Sequence, residues 1–344
     1  MAVEGAEQGA GEAMRAVDAR ALTSALSVWL AVVIAMALQI EDPWWAAFAA
    51  FRTSLRTQSA AEALRRNRLA GTVVGCVIGW ILAGLVVDDH TVALTATFAL
   101  AVGGTYGRFA VRSGHGMLLG AASAILILNS ALFQPDATVE YFVYRILETL
   151  LAVTVVGIVD RCFLPYDPHH HYPPPLHPTE EEKREFAIVA CAAGFTVLIV
   201  ALVFLTYDLP QPVQTLVTVL AVINSDVHAQ VKKSMERFKG VFIGGGAGLL
   251  IAGLSIENFW LWSAVLFAGI AVSAAYFTSG RKDFYLGQQA GYGFIMAMVT
   301  GNGPVAAILP ALDRMIGILF GVAIAYLILM SLYALLGRAD TAEP

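Results

Sequence analysis

The sequence predicts an all-α integral membrane protein of about twelve transmembrane helices, arranged as two parallel six-helix repeats. Three observations predict it. Hydrophobic residues make up 58% of the chain and charged residues 14%, with a mean hydropathy of +0.70, whereas a soluble domain carries about a quarter charged residues. One pattern is written twice. Arg68-Leu69-Ala70-Gly71 leads into Gly75, Gly79 and Gly84, and Arg237-Phe238-Lys239-Gly240 leads into Gly244, Gly248 and Gly253, each residue 169 positions after its counterpart. The same displacement carries Pro43 onto Pro212, Pro135 onto Pro304 and Arg145 onto Arg314. A register kept without a gap over that distance marks two tandem copies of one unit. Third, of the loops between the apolar runs, only alternate ones contain Lys or Arg.

Residues 1–20 are polar and acidic, with Glu4, Glu7, Glu12 and Asp18. They lack the basic-then-apolar layout of a cleaved signal and read as a cytoplasmic N-terminal tail, with the first span as an uncleaved signal. A span needs roughly 20 apolar residues. The first membrane repeat, 21–163, divides into spans near 21–40, 44–63, 69–87, 91–110, 116–133 and 143–163. A Pro/His-rich cytoplasmic linker occupies 164–185. The second membrane repeat, 186–336, has spans near 186–206, 212–230, 240–256, 259–278, 285–300 and 313–336, and 337–344 forms a cytoplasmic C-terminal tail. The second span of each half is the least apolar.

The linker holds Pro165, Pro168, Pro173, Pro174, Pro175 and Pro178, and is extended, solvated and too short for a folded domain. His169-His170-His171 and His177 read as a polar spacer, because adjacent histidines in a proline-rich strand converge poorly on one ion; no metal is expected.

Charge sets orientation. The loops with Glu41-Asp42, Asp88-Asp89, Asp136, Asp208 and Glu257 contain no Lys or Arg. The alternate loops hold Arg65, Arg66 and Arg68; Arg108 and Arg112; Lys183 and Arg184; Lys232, Lys233, Arg237 and Lys239; Arg281 and Lys282; and Arg338. This positive-inside pattern places both termini in the cytoplasm. Six spans per half then make the halves parallel.

Gly71, Gly75 and Gly79, with Gly240, Gly244 and Gly248, are expected to be structural. Residues four apart share a helix face, and a glycine face lets a neighbouring helix approach to backbone contact, which is how helices pack in lipid. The arginines before each glycine run are expected to hold the helix end at the membrane boundary.

The net charge of −5 gives no basic field, so nucleic acid is not an expected partner. Cys76, Cys162 and Cys191 have no metal or redox spacing. No catalytic triad, nucleotide or metal-ligand motif is present, so the chain reads as a non-enzyme without cofactors, surrounded by membrane lipid.

The candidate substrate-binding residues are Arg52, Arg56, Ser59, Gln288 and Gln289. Arg52 falls about 13 Å into the second span at ~1.5 Å per residue, where arginine is costly and functional; the alternative is that Arg52 and Arg56 belong to the cytoplasmic basic cluster. Arg52, Arg56 and Ser59 would share one helix face beneath Trp45 and Phe48. Gln288 and Gln289 would bind a ligand's polar groups or bond neighbouring helices. Arg145 and Arg314 open the sixth span of each half as structural residues. Arg145 would clamp Glu148 one turn on, or Glu148, with Asp313, would carry the coupling proton.

Asp283-Phe284-Tyr285-Leu286-Gly287-Gln288-Gln289, Gly303-Pro304 and Asp313-Arg314-Met315-Ile316-Gly317-Ile318-Leu319-Phe320-Gly321 resemble the fusaric-acid-resistance family, which includes bacterial aromatic carboxylic acid exporters. Pro43-Trp44-Trp45 and Arg68-Leu69-Ala70-Gly71-Thr72-Val73-Val74-Gly75 look like that family's second span and its Arg-x-x-Gly-Thr-x-x-Gly motif. Two departures stand out. The linker is far shorter than the cytoplasmic domain of larger members, and Arg145-Ile146-Leu147-Glu148 stands where the second half has Arg314-Met315-Ile316-Gly317. The resemblance implies an inner-membrane exporter of small organic carboxylate anions, aromatic acids among them, driven by protons. It also implies a periplasmic adaptor partner, and homo-oligomerisation is open. A passive anion channel and a non-transporting scaffold subunit are the alternative readings.

Overall fold

The computed structural model describes residues 2–55, 58–86, 88–164, 177–207, 212–223, 227–301, 303–304 and 308–335. Among them are twelve α-helices and no strand. In chain order they are α1 (Ala2–Ala37), α2 (Trp44–Ser54), α3 (Gln58–Val86), α4 (His90–Ala110), α5 (Gly114–Phe133), α6 (Thr138–Phe163), α7 (Glu180–Tyr207), α8 (Pro212–Val222), α9 (Val227–Ala252), α10 (Phe259–Thr278), α11 (Phe284–Met298) and α12 (Leu309–Leu335). Seven stretches are long and apolar enough to cross a membrane, in α1, α3, α5, α6, α7, α10 and α12. The chain is a multi-pass membrane protein.

The chain forms two compact units, and each draws helices from both sides of the linker. The first contains α1, α2, α10 and α11, the start of α3, the end of α6 and α9 from Lys239 onward. Within it α1 packs on α2 and α10, α10 on α11, and α11 on α2. The second contains α4, α5, α7 and α8, most of α3 and α12, and the first parts of α6 and α9. Within it α4 packs on α5 and α7, α7 on α8, and α5 on α8. Its core is aliphatic, with Val189, Val197, Leu216, Leu220 and Leu329 buried together.

Three expectations need correction. The second span of each half is not a membrane-length helix. Helices α2 and α8 have 11 residues each, about 16 Å at ~1.5 Å per residue, half of a hydrocarbon core of ~30 Å. The sequence turns polar at Arg52-Thr53-Ser54, and a separate helix, α3, restarts at Gln58. The basic clusters, expected just before their glycine helices, lie inside α3 and α9 instead. Arg65, Arg68 and Arg237 are buried there, and Arg237 Nη2 donates to Thr218 Oγ1 of α8 at 3.4 Å. The first helix starts at Ala2, so residues placed in a polar tail are continuous with α1. The linker histidines 169–171 lie outside the described residues.

A helix that stops early leaves its last carbonyls in need of donors. At α2, Ser54 O accepts from Arg20 Nη1 at 3.2 Å and from Ser24 Oγ at 3.2 Å, both on α1. Arg20 also pairs with the fully buried Asp160 of α6 at 3.2 Å. At α8, Arg108 Nη1 of α4 binds Ile223 O at 2.9 Å and Leu220 O at 3.4 Å. Cations at a helix carboxyl end also meet the favourable end of the macrodipole.

The glycine faces make the expected close contacts. A Cβ at Gly71 or Gly75 would strike the backbone carbonyl of Gly116 or Gly120 on α5, and one at Gly79 would lie 2.6 Å from Ala124 O. In the other unit, a Cβ at Gly240 would lie 2.7 Å from Leu286 O on α11, one at Gly244 would strike Ala290 O, and one at Gly248 would meet the Ala297 side chain at 2.5 Å. Gly84 has nothing within 4 Å.

Gly75→Leu and Gly244→Leu are each expected to cost at least ~1–3 kcal/mol of overpacking and to lower the unfolding midpoint in detergent, while Gly84→Leu leaves it unchanged. Three equal midpoints would show that the first two faces are loose. Arg20→Met should destabilise the fold by about 3–5 kcal/mol, because it strips a partner from a buried carboxylate. Adding Asp160→Met should recover much of the loss in the same thermal assay, and a double variant as weak as the single one would count against the ion pair as the cause.

Candidate functional site

The first unit gathers the polar and aromatic chemistry. Helix α2 carries Trp44, Trp45, Phe48 and Arg52 at spacings that keep Trp45, Phe48 and Arg52 on one side. Trp44 and Trp45 stack at 4.0 Å, and Trp44 meets Phe48 edge-on at 5.2 Å. Helix α11 supplies Gln288 and Tyr292, one turn apart. The Tyr292 ring lies 4.6 Å from Phe48 and 5.8 Å from Phe51. Gly291 makes this approach possible, since a side chain there would strike the Phe51 ring.

A hydrogen-bonded chain runs through the cluster. Arg52 Nη1 donates to Gln288 Oε1 at 3.4 Å, and Gln288 Nε2 donates to the Tyr292 hydroxyl at 2.9 Å. Gln288 is buried and Arg52 half-buried. A guanidinium has five N–H donors in a fixed fork, and the bond to Gln288 is long for an N–H···O contact. The arrangement offers a cation with donors to spare beside a wall of rings. Those are the two features an aromatic carboxylate needs.

The site differs from the sequence expectation in three ways. Arg52 is not at the middle of a long helix: it stands in the last turn of α2, close to Ser54, whose carbonyl is held by Arg20 at the start of the apolar part of α1. Burial depth therefore does not single it out; its partners do. Arg52 and Ser59 do not share a helix face, because α2 ends at Ser54 and Ser59 belongs to α3. Arg56 and the Ser59 side chain lie outside the described residues. Gln289 points away from Arg52 and packs on Gly240 of α9; its Oε1 is buried without a hydrogen-bond partner among the described residues.

The other candidates belong to the second unit. Arg145 and Glu148 face each other at 3.9 Å one turn apart, both buried, as a clamp requires. Arg314 is buried and Asp313 half-buried. Sequence reasoning missed Phe51 and the capping set Arg20, Asp160 and Arg108. The available signal was a charge at the edge of each apolar run.

The comparisons with known proteins point one way. A family model described as fusaric acid resistance protein-like matches residues 30–159 and 190–330, most of the chain. No curated protein and no solved structure matches it. The matched stretches contain the Arg52–Gln288–Tyr292 cluster and both glycine faces. The chain belongs to the fusaric acid resistance protein-like family of membrane transport proteins.

Proposed function

We propose that the chain exports small organic carboxylate anions, aromatic acids among them, across a bacterial inner membrane, driven by the proton gradient. The observation that carries this reading is Arg52: a half-buried guanidinium whose bond to Gln288 is long, flanked by Phe48 and Tyr292. A carboxylate can take the guanidinium fork in bidentate fashion while Gln288 falls back on Tyr292, and the rings receive the organic body. Glu148 or Asp313 would carry the proton.

The same proposal includes twelve helices in two parallel repeats, with both termini cytoplasmic. The packing within the two units supports it. Displacement by 169 residues turns α1, α2, α4 and α5 into α7, α8, α10 and α11, and every helix pair named in one unit has its displaced counterpart in the other. Each half would thus lend its first two helices to the other half's unit.

In everted membrane vesicles, Arg52→Gln should raise the apparent KM for a transported acid such as fusaric or benzoic acid by about tenfold or more, the weight of one hydrogen bond to a charged group, at unchanged protein abundance. Arg52→Lys should rescue poorly, because it keeps the charge and loses the fork. Unaltered kinetics in Arg52→Gln would remove Arg52 from the site. An uncoupler should abolish concentrative export, and flux surviving it down a gradient alone would favour a channel. Reporter fusions after Arg68 and within 170–180 should read cytoplasmic and one at 88–90 periplasmic; a periplasmic linker would overturn the parallel arrangement.

A further inference from the structure

The second unit carries a groove of about 640 Å³ on the face made by α3, α4 and α5, which the cluster around Arg52 does not use. Its floor is glycine backbone, from Gly71 and Gly75 on α3, Gly103 and Gly104 on α4, and Gly116 and Gly120 on α5, flanked by alanines and by larger apolar side chains such as Ile78, Leu82 and Met117. It stays open because side chains are missing. At the positions 169 residues on, Val272 and Ser273 stand in place of Gly103 and Gly104, and Tyr285 and Gln289 in place of Gly116 and Gly120. The wall itself is bare, since only 28% of the apolar window of α3 is buried.

Chemistry is unequal along the groove. Of the lining residues only Asn67 and Ser113 have polar side chains. They lie at the same end, because the backbone carbonyl of Asn67 faces Gly116, three residues after Ser113. Their chain neighbours Arg66 and Arg112 are both exposed. The groove is therefore polar at one end, beside these two arginines in sequence, and apolar along the rest of its length.

Its dimensions decide what fits. From Asn67 to Leu82 the α3 wall runs about 22 Å at ~1.5 Å per residue, so the volume corresponds to a cross-section of about 30 Å², against roughly 80 Å² for a helix ~10 Å across. A helix from a second copy would lie across the opening rather than inside it. A compact ring would leave most of the length empty. One extended hydrocarbon chain matches both dimensions.

We propose that this groove holds one acyl chain of an anionic phospholipid, with its phosphate at the Asn67–Ser113 mouth between Arg66 and Arg112. Arginine pairs bidentately with phosphate, and a cation near an anionic lipid surface favours binding. The inference is independent of the transported substrate.

The test uses the full-length protein in detergent, with dioleoyl-phosphatidylglycerol or dioleoyl-phosphatidylcholine added back. Bound lipid is read by native mass spectrometry and the unfolding midpoint by a thermal assay. Phosphatidylglycerol should be retained and should raise the midpoint more than phosphatidylcholine, which has the same chains. Arg66→Gln and Arg112→Gln should each weaken phosphatidylglycerol binding about fivefold, and weaken phosphatidylcholine binding by less, because its choline already balances the phosphate charge. Gly103→Phe fills the groove from a position with no atom within 4 Å of its Cβ; it should keep the lipid-free midpoint and lose the retained lipid. Gly103→Leu is the smaller filler, and should weaken retention in the same direction. Equal retention by wild type and both Gly103 variants would overturn the proposal, as would equal binding of the two lipids. So would a wild-type dimer that becomes monomeric in Gly103→Phe, which would assign the groove to a second copy of the chain.

Discussion

A helix that ends among fully buried side chains has no water for its last carbonyls, and this constraint shapes both units. Buried backbone groups without partners cost several kcal/mol each. Helices α2 and α8 end in this situation. The chain meets the need with arginines: Arg20 on the carbonyl of Ser54, and Arg108 on those of Leu220 and Ile223. These cations must then be stabilised themselves. For Arg20 the fully buried Asp160 does so. The short helix, its cap and the counter-ion are therefore one device, and it fixes the end of α2 two residues beyond Arg52. The position of the candidate substrate cation follows from the way its helix is terminated.

The second constraint is close approach. Lipid tails are as apolar as leucine, so helices in a membrane gain by van der Waals fit. Helix α3 reaches the α5 backbone through Gly71 and Gly75, and α9 reaches the α11 backbone through Gly240 and Gly244. On α11 this contact has a direct consequence for the site. Gln289 is spent on the glycine face of α9, which turns its neighbour Gln288 towards α2 and Arg52. Packing on one side of α11 orients the chemistry on the other.

These contacts divide what was legible in the sequence from what was not. The seven span-length apolar helices stand where hydropathy put apolar runs, and the glycine faces were readable because spacing by four is itself the geometry of a face. The length of α2 was not readable: a window average over Trp44 to Ala63 hides the polar run at Arg52-Thr53-Ser54, and a break depends on whether distant donors are available to cap it. The caps come from α1 and α4, far away in sequence. The pairing of Arg52 with Gln288 was equally out of reach, since the residues are 236 apart and nothing local in either segment names the other. Both residues were nevertheless picked out singly, because a cation and an amide in apolar surroundings each need a reason to be there.

The two halves have kept one framework and diverged in what they place on it. The glycines recur at a displacement of 169, but the positions corresponding to Arg52, Gln288 and Tyr292 are Ala221, Leu119 and Ser123, so the hydrogen-bonded cluster exists once. The glycines that keep the groove open are likewise written in one half only: Gly103, Gly104, Gly116 and Gly120 remain small where Val272, Ser273, Tyr285 and Gln289 stand at the corresponding places. Helix packing tolerates this divergence because its requirements fall on one face of each helix, leaving the others free to vary. A chain that needs one recognition site rather than two equal ones can therefore keep the glycine register in both halves and confine cation, amide and rings to one. That is the division of labour in the first unit: α9 and Gln289 pack against one side of α11, and Arg52, Gln288 and Tyr292 remain for the proposed ligand.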